Sequence, residues 1–127
     1  MKTFDEPHFT MKIHDNCLIE FKVKKGISLT AEDVWRSRDL SVQYKPNTKF
    51  YVLTEAEDEF TPTQDARRAG ASKEYSQHVN ALAFYSDNML LKILGNLFIT
   101  VSRPIVPTKF FDEREKAVEW LNKCMIS

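Results

Sequence analysis

Asn80–Thr108, NALAFYSDNMLLKILGNLFITVSRPIVPT, decides the fold. A short apolar run, Ala81–Tyr85, has the length and composition of a buried strand. Ser86-Asp87 then offers a helix start, and the helix begins near Asp87 or Asn88. Met89–Val101 is the most hydrophobic segment of the chain. Leu90, Leu94, Leu97 and Val101, with Leu91, Ile93 and Phe98, make an apolar arc that leaves only a narrow polar stripe of Asn88, Lys92, Asn96 and Thr100. Arg103-Pro104 ends the helix, and Pro107 follows before the next strand. Strand, helix and return to a sheet is the unit of an α/β domain. So wide an apolar arc needs more cover than one sheet face gives. It is expected to touch a neighbouring helix, a second subunit or a ligand.

Working outward, Val106–Phe110 reads as a short strand that its prolines place at or near a sheet edge. Asp112 with Glu115 opens a last helix, whose Ala117, Trp120, Leu121 and Cys124 share one face. Upstream, Lys49–Leu53 (KFYVL) has no polar alternation after Lys49, as expected of a central strand covered on both faces. Thr61 reads as the cap of a helix with Pro62 at its first position and Gln64 at its third. Gly70 interrupts that helix, and Ser72 can cap a restart through Tyr75 and His78. Nearer the N-terminus, Phe9, Met11 and Ile13 alternate with polar residues. After Asp15-Asn16 the alternation resumes at Cys17, Ile19, Phe21 and Val23, which predicts a β-hairpin. Thr30 with Asp33 caps a helix over about 31–42, with Ala31, Val34, Trp35 and Arg38 on one face. Met1–His8 is expected to be a flexible tail, and residues 9–127 a single domain.

Composition narrows the function classes. The chain has 127 residues, 43% of them apolar, with 18 basic and 18 acidic side chains. A net charge of zero gives no electrostatic basis for binding nucleic acid. Met89–Val101 is too short, and too interrupted, to span a bilayer. With no apolar leader pattern in the first residues, the expected location is the cytoplasm. Cys17 and Cys124 both sit within apolar patterns and are expected to be reduced. No cofactor is implied. The three histidines, His8, His14 and His78, show no metal spacing. The acidic run Glu55–Glu59 lacks the glycine and final glutamate of a calcium loop and reads as a solvated connection. Arg67, Arg68 and Lys73 could meet an anion, and so could the free amides at Ser86-Asp87-Asn88. Solvation in the first case, and Asp87 as the cap in the second, are the simpler readings.

The segments Leu94-Gly95-Asn96-Leu97-Phe98-Ile99, Arg103-Pro104, Pro107-Thr108-Lys109-Phe110 and Asp112-Glu113-Arg114-Glu115, with Ala117 and Trp120-Leu121, carry a resemblance. Together they resemble the signature of small bacterial proteins related to STAS and SpoIIAA-like domains, and the likeness extends over about residues 9–123. It implies a STAS-like mixed sheet with an N-terminal hairpin and four or five helices in the order ββαβαβαβα. It also implies a non-enzymatic role in protein contact or small-ligand sensing. Anti-sigma-factor antagonists of that superfamily carry an Asp-Ser-Ser-Gly-like run whose serine is phosphorylated. Here that run is missing, and Thr61 or Thr63 stands in only by position.

Gly95 is the sharpest single residue, because a mid-helix glycine costs about 1 kcal/mol relative to alanine. It predicts close approach of a neighbouring element or room for a ligand. Leu91, Gly95, Asn96, Phe98, Ile99 and Arg103 are therefore the interaction or ligand-binding candidates. Two functions follow from the same helix. In one it pairs two copies as a homodimer, a role an exposed sheet edge could also fill, or meets a regulatory protein. In the other it covers a lipid or another small apolar molecule, with Leu91, Phe98 and Ile99 exposed in the monomer. An exposed apolar patch favours the first, and a cavity of a few hundred cubic ångströms beside Gly95 favours the second.

Overall fold

Period-two patterning near the N-terminus produces strands whose inward side chains are almost inaccessible. In the computed structural model, which describes residues 1–56 and 60–126, β1 is Lys2–Asp5, β2 is Phe9–Ile13 and β3 is Leu18–Val23. Phe9, Met11 and Ile13 pair with Val23, Phe21 and Ile19 across an antiparallel ladder, and all six are buried. The turn holds Cys17 at φ 73°, a left-handed conformation that few non-glycine residues adopt. The first residues are not the expected tail. β1 pairs antiparallel with β2 at the sheet edge, and only Phe4 is partly covered.

Helix α1 (Ala31–Tyr44) starts where expected and runs two residues longer. The Thr30 hydroxyl accepts from the Asp33 amide at 3.3 Å, while Asp33 Oδ2 accepts from the Thr30 amide at 3.0 Å. Asp33 is buried, and His8 Nδ1 lies 3.0 Å from both of its oxygens. β4 (Phe50–Glu55) lies between β3 and β5 (Val79–Tyr85) and is parallel to both, so the apolar run is the sheet's centre. Glu55 closes β4 and pairs with Lys22 at 3.1 Å. The rest of the acidic run, from residue 57 to 59, lies outside the described residues.

The second helical segment is broken as the sequence suggests, into α2 (Gln64–Gly70) and α3 (Lys73–Ser76), with Ser72 capping the restart. Its first cap is corrected: Thr63, not Thr61, accepts from the Ala66 amide at 3.1 Å. Thr63 N–H also donates to the Leu29 carbonyl at 2.8 Å, which fixes it beside the start of α1. Helix α4 (Met89–Ser102) leads to β6 (Thr108–Phe111), the far edge strand, and α5 (Arg114–Ile126) ends the described chain. The sheet order is β1-β2-β3-β4-β5-β6, antiparallel up to β3 and parallel from there.

Two cores result, one on each sheet face. The larger joins the β2–β5 side chains to α1, α2 and α3. The smaller sets Ala117 and Leu121 of α5 against Leu53, Ala81 and Ala83. Three alanines at that contact let helix and sheet approach closely. Cys17 packs with the larger cluster and Cys124 with the smaller, so they lie on opposite faces of the sheet.

Candidate ligand cavity and the apolar helix beside it

Helix α4 is set by its caps. Asn88 Oδ1 accepts from the amides of Leu90 (2.9 Å) and Leu91 (3.3 Å), and Ser86 Oγ accepts from the Asn88 amide at 3.1 Å. The cap is thus Asn88 rather than Asp87, and the Ser86, Asn88, Leu90 and Leu91 amides are already used. At the other end Arg103 turns left-handed (φ 46°) ahead of Pro104.

No residue of α4 is buried. Met89, Leu90, Ile93, Leu94, Leu97 and Val101 are exposed by between 51% and 72%, and Ile105 prolongs the patch. Leu91, Phe98 and Ile99 are half-buried, so the expectation that these three face solvent is corrected. Contact with the sheet runs through Gly95. A Cβ built there would lie 2.1 Å from Phe110 Cδ2, so glycine is what lets α4 approach β6.

Between α4, the helices α1–α3 and the sheet lies a partly open apolar cavity of about 600 Å³. Val52, Leu82, Phe84 and Phe110 form its floor, and the stacked rings of Phe84 and Phe110 (5.6 Å) shape the α4 end. From α4, Leu91, Leu94, Gly95, Leu97, Phe98 and Ile99 line it, as does Val101. Asn96 and Arg103 do not line it; both are exposed. Of the two threonines, Thr61 lies at the rim and is exposed, whereas the Thr63 hydroxyl is occupied by the α2 cap.

Few polar groups reach the cavity. Ser37 and Ser41 donate to the carbonyls of Val34 and Ser37 (both 2.7 Å), and Thr108 donates to that of Val106 at 2.8 Å. Arg38 lies 4.6 Å above the Trp35 ring and donates to Asp39. Arg67 donates to the Pro62 carbonyl at 2.7 Å. Thr54 and Tyr75 are buried at 3% and 7% exposure. Burial pushes the Tyr75 phenol far above its usual range and keeps it neutral. Sequence reading passed over both. Thr54 is the one aliphatic hydroxyl in the central strand, directly after the apolar run, and that was the available signal.

The other titratable groupings lie away from the cavity. His8–Asp33 belongs to the α1 cap. On the opposite face Glu20 lies 2.7 Å from His14 Nε2 and accepts from Arg114. Burial raises the Glu20 carboxyl, but the His14 and Arg114 bonds outweigh it and leave the group below the usual glutamate value. Among the described residues no three His, Cys, Asp or Glu side chains gather closely enough to hold a metal ion, and no helix is long and apolar enough to cross a membrane.

No curated protein matches the sequence. Among solved structures, an uncharacterized protein of the DUF3478 family with a SpoIIAA-like fold, from Shewanella loihica PV-4, aligns with a TM-score of 0.61. That alignment covers 93% of this chain and 98% of the other, at 14% identity. A protein of unknown function from Arthrobacter sp. FB24 is 20% identical over 88% of this chain and 97% of its own, but a TM-score of 0.30 carries no argument. The first likeness shows the fold to be SpoIIAA-like, as the signature around Gly95 implies. Residues 11–125 match the family described as a domain of unknown function, DUF7793, and the chain belongs to that family.

Proposed function

We propose that this chain is a non-enzymatic binding module that takes a small apolar molecule into the cavity between α4 and the sheet. The observation that carries the reading is the cavity of about 600 Å³ beside Gly95. Its volume falls within the roughly 300–1,000 Å³ typical of small-molecule sites, and its lining is mainly apolar. The histidine–carboxylate pairs lie elsewhere, which supports binding over catalysis. A formally neutral chain with this apolar site supports a small-molecule ligand over a nucleic-acid partner, and a cytoplasmic location fits the same reading.

Gly70 supplies the test. It lines the cavity, and a Cβ added there meets nothing within 4 Å. Gly70→Leu should therefore fill space without a clash. Wild type is expected to bind an uncharged apolar dye saturably, one per chain, and Gly70→Leu to weaken that at least about fivefold at an unchanged melting temperature. Saturable binding that Gly70→Leu leaves intact counts against the cavity.

A second reading is favoured by the exposed apolar side chains of α4. Leu90, Leu94, Leu97 and Val101, all exposed, follow the alternating four-and-three spacing of a coiled-coil seam, and the last three also line the cavity. Pairing of two copies through this face, or docking of a regulatory protein on it, would cover the patch. Sedimentation of wild type beside Leu90→Asp, which does not touch the cavity, tests the homodimer. A wild-type monomer at every concentration sinks it. Thr61 remains the accessible phosphoacceptor candidate, since Thr63 is engaged.

A further inference from the structure

Thr54 and Tyr75 carry the deeply buried polar atoms of the cavity that the fold leaves unused. Thr54 sits in the central strand with Phe21 and Phe84 as its register partners, and Tyr75 projects from α3. Both are more than nine-tenths buried and both line the cavity. Among the described residues neither hydroxyl has a hydrogen-bond partner. Yet no fully enclosed side-chain nitrogen or oxygen lacks one. The two hydroxyls must therefore open onto accessible space, and the space beside them is the cavity. Ser37, Ser41 and Thr108 line the same cavity and satisfy themselves on backbone carbonyls. An unpartnered buried hydroxyl is a standing cost that valine or phenylalanine of the same shape would avoid.

The charge distribution narrows what could meet these groups. Arg38 is half-buried and Arg67 exposed, each already has a partner, and His78 is a half-buried ring on the same lining. The deep groups are two neutral hydroxyls. Bringing a carboxylate or phosphate down to them would bury an ion with no counter-charge, which is far more costly than burying a neutral oxygen.

Resting on the ligand-binding reading above, we propose that the ligand is an amphiphile with an alkyl chain and an uncharged oxygen head, such as an acyl ester or a long-chain alcohol. Its head hydrogen-bonds the hydroxyls of Thr54 and Tyr75, and its chain lies along the apolar wall that includes Leu91, Gly95 and Phe98.

The test is displacement of N-phenylnaphthylamine by glycerol monolaurate, by dodecanol and by ionised laurate, from wild type, Thr54→Val and Tyr75→Phe. On wild type the two uncharged amphiphiles should displace the dye at concentrations at least tenfold below that of laurate. Whichever of them wins separates ester from alcohol. Each variant should reduce the preference for the uncharged head over laurate about fivefold, the effect of one lost hydrogen bond. Both replacements are near-isosteric, and having two of them keeps the test open if one fails to fold. A dye that binds but is displaced equally by laurate overturns the proposal, as does a preference that survives in both variants. If wild type binds no dye at all, the ligand-binding reading fails, and this proposal with it.

Discussion

Gly95→Ala turns the α4–β6 contact into a measurable quantity. In an open helix interior this change stabilises by about 1 kcal/mol, because alanine fixes the backbone at less entropic cost. Here the added methyl would fall 2.1, 2.6 and 2.9 Å from Cδ2, Cε2 and Cγ of Phe110. All three distances are inside van der Waals contact, so the ring or the helix must move. Phe110 is buried and stacked on Phe84 with an interplanar angle of 11°, which leaves its ring little freedom. Overpacking of this kind costs about 1–3 kcal/mol. Set against the propensity gain, the net effect should be a destabilisation of about 1 kcal/mol. In urea, with a slope of about 1–3 kcal/mol per molar, the midpoint should fall by about 0.5 M. A double-mutant cycle isolates the cause: in a Phe110→Ala background, Gly95→Ala should become stabilising. If Gly95→Ala raises the midpoint in the wild-type background, α4 does not rest on Phe110 and the close-approach argument is wrong.

Three further outcomes are expected. Thr30→Ala removes an oxygen that accepts from the Asp33 amide and should cost about 1 kcal/mol, a fall of several degrees in melting temperature that Thr30→Ser largely restores. Leu121→Ala should cost about 2–5 kcal/mol by urea denaturation, because Leu121 is fully buried and the alanines around it leave little to collapse into the gap. Glu20 titrates below the ordinary glutamate value of 4.5 in the folded chain, so its stabilising contribution is complete above that value and is lost as pH falls through the folded one. Glu20→Gln should therefore destabilise by no more than about 1 kcal/mol at neutral pH, and the difference from wild type should shrink steadily on acidification below 4.5. A gap that widens in acid would contradict the sign.

Features fixed by neighbouring residues were readable from the sequence. The Thr30–Asp33 box, the restart at Ser72 and the β2–β3 hairpin each depend on side chains within a few positions. Features fixed by distant partners were not. β1 has no alternation because, as an edge strand, it is open to solvent on both faces apart from Phe4. The α2 cap had two threonines to choose from. What selects Thr63 is a bond from its amide to Leu29, more than thirty positions away in the sequence.

Helix α4 shows why the site was harder to read than the fold. A helix apolar almost all round has no preferred inward face, so its composition could not say which residues would be covered. The glycine could, because its cost within a helix has to be offset by something nearby. Gly95 settles the rotation. With Phe110 fitted against it, Leu91, Phe98 and Ile99 turn toward the sheet side, Leu90 and Ile93 turn outward, and Leu94 and Leu97 line the cavity while staying exposed. That orientation gives α4 two apolar sides with different neighbours. One walls a cavity in which the Thr54 and Tyr75 hydroxyls have no partner among the described residues, and the other meets solvent at Met89, Leu90 and Ile93. The positions that matter for binding are then separable by substitution: Leu90 reports on the outer face alone, whereas Gly70, Thr54 and Tyr75 report on the cavity alone.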